Sequence, residues 1–124
     1  MFNQAEQLKA RSKKFAVDTI RLFRTLPRTE EARIIGKQLL RAGTSLAANY
    51  RAVCRARSKA EFIARIGIVV EEADETVFWL ELLSDTEILT REKTQMMLKE
   101  ANELLAIFAA SQRTAKAKIK HSKT

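Results

Sequence analysis

A short turn between two long amphipathic runs constrains the fold of this chain more than any other feature. Ser58-Lys59-Ala60-Glu61 has the Ser-x-x-Glu spacing of a capping box, which satisfies backbone N–H groups at the start of a helix. The run before it carries apolar residues at helical spacing from Ile35 to Val53. Because so little chain separates the two runs, we expect their helices to pack as an antiparallel hairpin.

Polar residues that suit the N-cap position mark three further helix starts. Asn3, Thr29 and Thr90 each precede an amphipathic run. Pro27 ends the first helix, because proline cannot continue a helix. The fold class predicted for residues 1–112 is therefore all-α, an antiparallel up-down-up-down four-helix bundle.

The composition is typical of a helical domain. The 124 residues include three glycines and one proline, so turn residues are sparse, and the length fits one domain. The single cysteine excludes an intrachain disulfide and no signal-peptide pattern is visible, so we expect a cytoplasmic location. The longest uncharged runs are far shorter than the roughly 20 residues that span a bilayer, so no membrane association is expected.

Charge is distributed unevenly along the chain. Residues 1–57 carry 13 basic and 4 acidic groups, and residues 58–112 carry 5 basic and 11 acidic groups. Residues 113–124 carry 5 basic groups and no acidic group, so a fourth helix over about 91–113 is expected to lead into a mobile basic tail. A net charge of +8 suits contact with nucleic acid, but the basic and acidic halves can also satisfy each other.

The basic residues of the first helix have two interpretations. They lie opposite the apolar side of that helix, either as an ordinary solvated face or as a surface that follows a phosphate backbone. The tail adds further lysines. The candidate nucleic-acid-binding residues are Lys9, Lys13, Lys14, Arg21, Arg24, Lys116, Lys118 and Lys120.

The third helix carries more large apolar residues than one bundle covers. Some of them lie among acids, away from the main apolar stripe of the helix, which is typical of a contact between subunits. Head-to-tail pairing of these acids with arginines of the second helix predicts a ring-shaped homo-oligomer. The candidate interface residues are Arg51, Arg55, Ile68, Glu71, Glu72, Glu75, Phe78, Trp79 and Leu82.

Two glycines inside helical runs predict close contacts between helices. Gly43 lowers helix propensity within the second helix, which predicts a bend or a tight contact there. Gly67 is expected to let the third helix approach the second at residues 47–48. Asn49, near the apolar stripe, is expected to be a structural amide bonded to the backbone or to a neighbouring helix.

No residue pattern predicts an active site, a metal site or a cofactor site. The one histidine, His121, lies in the basic tail. The paired Glu-x-x-His motifs of di-iron bundles and a histidine base for a nucleophile are therefore both missing. Cys54 is expected to be a buried, inert thiol.

Several stretches of the sequence resemble a known bacterial family. They are GTSLAANYRAVCRARS at 43–58 and EFIARIGIVVEEADETVFWLELL at 61–83, with QLLRAGTS at 38–45 and LLAIFAASQRTAK at 104–116. With these motifs the chain is similar to the four helix bundle proteins, also called 23S rRNA intervening-sequence proteins. The resemblance implies an antiparallel four-helix bundle that assembles into a ring, a homopentamer, and it implies no catalytic residues. A related protein is the accessory factor of diversity-generating retroelements, a basic barrel that works with a reverse transcriptase and nucleic acid.

The sequence therefore leaves two functions open and predicts no enzyme. The preferred hypothesis is a non-enzymatic, oligomeric helical-bundle scaffold with non-specific affinity for nucleic acid, RNA or DNA. The alternative is a protein–protein adaptor or a purely structural assembly without a nucleic-acid role. The expected partners are copies of the same chain, and neither a membrane, a small-molecule substrate nor a cofactor is expected.

Overall fold

Four α-helices make up the part of the chain that the structure, a computed structural model, describes. It describes residues 3–122, with side chains from Asn3 to Lys118, and contains no strand in that range. The helices are α1 (Gln4–Arg24), α2 (Glu30–Val53), α3 (Lys59–Asp85) and α4 (Arg91–Ser122). The predicted all-α class is confirmed. Within the described residues, no helix is long and apolar enough to cross a membrane.

Each helix begins at the N-cap residue that the sequence predicts. The Asn3 side chain accepts a hydrogen bond from the Glu6 N–H at 2.8 Å, and the Ser58 hydroxyl accepts one from the Glu61 N–H at 3.1 Å. The hydroxyls of Thr29 and Thr90 accept equivalent bonds, both at 3.3 Å. Since an N-cap bond stabilises a helix by about 1 kcal/mol, these four residues fix where the bundle turns.

The core lies between helices that are consecutive in the chain. α1 packs on α2, α2 on α3 and α3 on α4, whereas contact between α1 and α4 is sparse. Large side chains from all four helices are fully buried, among them Phe15, Leu46, Ile66 and Phe108. The helices thus form a four-helix bundle whose loosest seam runs between its first and last helices.

The fourth helix is longer than the sequence predicts. It continues to Ser122 instead of ending near residue 113. The added segment consists mostly of alanine, lysine and arginine, which favour helix, and it contains no glycine or proline that would stop one. Residues 113–122 therefore extend α4, and the side chain of Lys120 lies outside the described part of the structure.

The two glycine predictions have different outcomes. Gly43 does make a tight contact, because a Cβ at this position would lie 2.8 Å from the Thr19 side chain of α1. The prediction for Gly67 is wrong, since its nearest side chain is Gln112 of α4 and not residues 47–48 of α2. A glycine in a helix signals a close neighbour, but the sequence does not say which helix supplies it.

The sequence predictions for two polar side chains near the end of α2 also have different outcomes. The Asn49 amide donates to the Ser45 carbonyl and hydroxyl oxygens of its own helix, both at 2.9 Å, so its structural role is confirmed. Cys54 is exposed, and the prediction of a buried thiol is wrong. Cys54 keeps helical backbone angles as the C-cap of α2, so its exposure reflects its place at the margin of the buried stripe and at the end of the helix.

Candidate nucleic-acid interface

An arginine-lined cavity of about 630 Å³ lies where α2 turns into α3. Arg51 and Ala52 share one side of α2 with Ala48, because they follow it by three and four residues, and Arg55 lies in the turn just after α2 ends at Val53. The turn and the first two turns of α3 supply the other walls. The residues that line this cavity, called the arginine pocket below, are Ala48, Arg51, Ala52, Arg55, Arg57, Glu61 and Arg65.

Glu61 is the one carboxylate in this lining, and it is already bonded on both oxygens. The Arg57 backbone N–H donates to Oε2 at 3.1 Å, and Arg65 Nε donates to Oε1 at 2.9 Å. The bond from the Arg57 N–H, followed by that from Arg65, lowers the pKa of the Glu61 carboxyl. Glu61 therefore stays ionised at neutral pH and holds Arg65 in place.

The remaining three arginines of the pocket have no acidic partner in the part of the chain that the structure describes. No carboxylate of the described residues lies within ion-pair distance of the side chains of Arg51, Arg55 or Arg57. With four guanidinium groups and one carboxylate, the lining has a formal charge of +3. Such a concentration of one sign attracts anions and repels other cations.

A second basic cavity, of about 690 Å³, adjoins the first between α1 and α2. Arg51 lines both cavities, so the two basic surfaces are continuous. The second cavity is lined by Glu6, Gln7, Lys9, Ala10, Arg11, Lys13, Lys14 and Arg51. We call the continuous surface the basic track and define it by Lys9, Lys13, Arg51, Arg55, Arg57 and Arg65.

The predicted basic residues of α1 do not all belong to this track. Lys9 and Lys13 line the track, and the Lys9 ammonium lies 3.6 Å from a carboxylate oxygen of Glu6. Lys14 also lines the second cavity, but its ammonium pairs with Asp18 at 2.7 Å. Arg21 and Arg24 are exposed near the other end of α1, and Arg24 is about 22 Å from Lys9 by helical rise.

The predicted basic residues of the C-terminal segment lie along the end of α4. Lys116 and Lys118 are both exposed. Lys118 lines a groove together with Lys59 at the start of α3 and Gln4 at the start of α1. This groove therefore touches the first turn of α3, the same end of that helix that contributes to the arginine pocket.

The predicted interface acids are partly engaged within the chain. Arg41 of α2 pairs with Glu72 at 3.2 Å and with Glu75, and Trp79 Nε1 donates to Glu75 at 3.1 Å. The bond from Arg41, followed by that from Trp79, lowers the pKa of the Glu75 carboxyl, and the same ion pair raises the pKa of Arg41. Glu71 is exposed and makes no such pair among the described residues.

The structure separates the predicted interface residues into two groups. Arg51 and Arg55 line the arginine pocket, whose lining does not include Glu71, Glu72 or Glu75. On α3, Ile68 and Phe78 are 44% and 50% exposed, while Trp79 and Leu82 are half-buried. The Phe78 and Trp79 rings meet edge to face with centroids 5.0 Å apart. The α3 residues thus form an apolar and acidic surface that is distinct from the basic track.

The sequence interpretation missed Arg41 and the pocket residues Arg57 and Arg65. A signal for Arg41 was present, because Arg41 and Glu72 are nearly equidistant along the chain from the turn residue Ala56. Antiparallel pairing about such a turn brings equidistant residues together. Arg57 had no comparable signal, because it lies in the turn itself, where helical periodicity does not apply. Arg65 did have one, since it stands four residues after Glu61 on α3, the spacing at which an ion pair forms along a helix.

These features define an all-α four-helix-bundle protein with a continuous basic surface and, among the described residues, no cluster of side chains suited to a metal ion. The chain belongs to the 23S rRNA-intervening sequence protein family, whose model matches residues 6–110. A similar solved structure is the crystal structure of a protein of unknown function from the S23 ribosomal protein family of Bacteroides thetaiotaomicron. The two chains are 36% identical with a TM-score of 0.79, over 85% of this chain and 97% of the other. No curated protein matches this chain.

Proposed function

We propose that this protein is a non-enzymatic scaffold that binds the RNA backbone along the basic track. The observation that carries the proposal is the position of Arg51, which joins the basic face of α1 to the arginine pocket. A continuous row of cations suits a polyanion, because every phosphate of the backbone carries a negative charge. The name of the family favours RNA over DNA as the first ligand to test.

The proposed contacts are to phosphates and not to bases. Among the residues that the structure describes, no aromatic side chain lines either cavity of the basic track. Tyr50, the one tyrosine of the chain, is buried at 6% exposure, and Trp79 lies on the other surface. Because sequence-tolerant stacking needs an accessible aromatic ring, affinity should come from charge and fall steeply with salt.

We also propose that the cytoplasmic form is a ring of antiparallel bundles, a homopentamer. The exposed Ile68 and Phe78 on α3 support a subunit contact, since large apolar residues beside charge are typical of one. The short connections between consecutively packed helices support the up-down-up-down arrangement. Since Arg41 already holds Glu72 and Glu75, Glu71 is the acid that we assign to pairing with a neighbouring subunit.

Two measurements on the purified protein test the scaffold proposal. Fluorescence anisotropy with a structured RNA at low salt should show binding that weakens on a salt titration. Light scattering with and without RNA should give the mass of the assembly in each state. The absence of RNA binding at low salt would contradict the nucleic-acid role, and a stable monomer at micromolar concentration would contradict the ring.

A protein–protein adaptor is the second candidate function. The observation that favours it is the exposed Phe78, whose ring packs against Trp79 and leaves half of its own surface in solvent. Aromatic residues of this kind often anchor protein interfaces. A monomer that fails to bind RNA at low salt would favour the adaptor.

A further inference from the structure

We propose that the arginine pocket binds a linear oligophosphate, either the 5′-triphosphate end of an RNA chain or a free oligophosphate. If the ligand is the 5′-triphosphate end of an RNA chain, the inference rests on the proposed RNA-binding function. It goes beyond that function because it assigns one part of the basic track to a phosphate group that the internal backbone does not have.

Charge matching is the first argument. The pocket lining has a formal charge of +3, from Arg51, Arg55, Arg57 and Arg65 against Glu61. An internal phosphodiester brings one negative charge, and a terminal phosphate monoester brings about −1.5 to −2. A chain of several phosphates brings the closest match to +3 within one compact group.

The arrangement of the donors is the second argument. Arg51 lies in the last turn of α2, Arg55 and Arg57 lie in the turn that follows, and Arg65 lies on α3, so cations line the cavity from three segments. Arg65 bonds Glu61 through Nε, which leaves its two terminal nitrogens as donors for an anion. Guanidinium groups bind phosphate oxygens in a bidentate manner, so four of them suit a group with many oxygens.

Size and polarity complete the argument. At about 30 Å³ for each water-sized group, the 630 Å³ cavity has room for a triphosphate. The small side chains of Ala48 and Ala52 leave that space open and offer no hydrogen bonds to a base. The pocket should therefore recognise the phosphate chain whatever nucleotide carries it.

The test compares two single-stranded RNAs of one sequence, with a 5′-triphosphate or a 5′-hydroxyl and a fluorophore at the 3′ end. We expect the wild-type protein to bind the triphosphate RNA at least about tenfold more tightly, which corresponds to about 1.4 kcal/mol. The double variant Arg55→Gln/Arg57→Gln should lose this preference. The matched control Arg28→Gln/Arg91→Gln removes the same charge from exposed positions outside the pocket and should keep it.

A second arm uses sodium tripolyphosphate alone, in a thermal-unfolding assay. It should raise the Tm of the wild-type and control proteins but not that of Arg55→Gln/Arg57→Gln, whose folding is checked by circular dichroism. Equal affinity for the two RNAs together with no tripolyphosphate effect would overturn the inference and leave the backbone-binding proposal standing. A different result is that the wild-type protein binds neither RNA, while tripolyphosphate raises the Tm of the wild type but not that of Arg55→Gln/Arg57→Gln. That result would overturn the proposed function and support a free oligophosphate as the ligand.

Discussion

Gly43 of α2 lies against Thr19 of α1 so closely that a Cβ on residue 43 would stand 2.8 Å from both Cγ2 and Oγ1 of the threonine. Thr19 is fully buried and its hydroxyl donates to the Phe15 carbonyl at 2.8 Å, so the side chain has little freedom to move away. This contact sets how closely α1 and α2 approach each other at Gly43.

The first prediction is that Gly43→Ala destabilises the protein. Alanine gains about 1 kcal/mol in helix propensity over glycine, but overpacking a tight contact costs typically about 1–3 kcal/mol. We expect a net loss of up to about 2 kcal/mol in the free energy of unfolding, measured by urea denaturation. The same substitution in a Thr19→Ala background should cost less, because the clashing atoms are gone.

Gly67→Ala is the matched control for this prediction. A Cβ there would meet the Gln112 amide nitrogen at 3.1 Å, and that atom ends a flexible side chain. Gly67→Ala should therefore leave stability unchanged or raise it by up to about 1 kcal/mol. Equal destabilisation by the two substitutions would show that the Thr19 contact is not the cause.

The second prediction concerns the pH dependence of the ion pair between Arg41 and Glu75. The pKa of Glu75 is lowered in the folded protein, so the pair stabilises the fold above the ordinary carboxyl pKa of about 4.3 and is lost as pH falls through the lowered folded value. Because Arg41 is about half exposed, Glu75→Gln should cost only about 0.3–1 kcal/mol at pH 7. The difference from wild type should vanish toward pH 3.

Glu81→Gln on the same helix is the control for the pH experiment. Glu81 is exposed and forms no ion pair among the described residues. The free energy of unfolding of Glu81→Gln should stay close to that of the wild type both at pH 7 and toward pH 3. A cost for Glu75→Gln that stays constant down to pH 3 would mean that the ion pair is not its source.

The third prediction concerns the backbone after α3. Glu87 has a φ of 60°, in the left-handed region that favours glycine. This conformation costs a residue with a Cβ about 1–2 kcal/mol, and part of the gain from glycine is offset by its greater freedom in the unfolded chain. Glu87→Gly should therefore raise the free energy of unfolding by about 0.5–1 kcal/mol.

A β-branched substitution at the same position should act in the opposite direction. Glu87→Val adds bulk at Cβ, and such residues avoid positive φ. We expect it to lower stability in the same urea experiment. If glycine and valine were equally stable at residue 87, the left-handed conformation would not be the controlling factor.

The sequence predicts where each helix begins better than it predicts which helices pack against each other. Asn3, Thr29, Ser58 and Thr90 place all four helix starts correctly, because capping depends only on residues within one turn. The predicted end of α4 is wrong because no glycine, proline or other local signal marks the end of this helix. The helix continues because alanine and lysine favour helical structure.

The candidate site is harder to predict because it depends on which helices adjoin. Periodicity places Arg51 on the outer side of α2, but only the packing of α1 beside α2 brings it next to Lys9 and Lys13. The sequence predicts that Arg51 and Arg55 both take part in a subunit contact, while in the structure both line the arginine pocket. Whether a neighbouring subunit also reaches them stays a prediction.

The salt dependence of RNA binding, measured for the wild type, Arg51→Gln and Arg91→Gln, tests the central claim most directly. Arg51 lies where the two basic cavities meet, whereas Arg91 is an exposed arginine at the start of α4 that lines neither. We predict that Arg51→Gln weakens binding and reduces the slope of log K against log salt by about 1, while Arg91→Gln leaves the slope unchanged. Equal slopes for all three proteins would contradict the basic track as the RNA-binding surface.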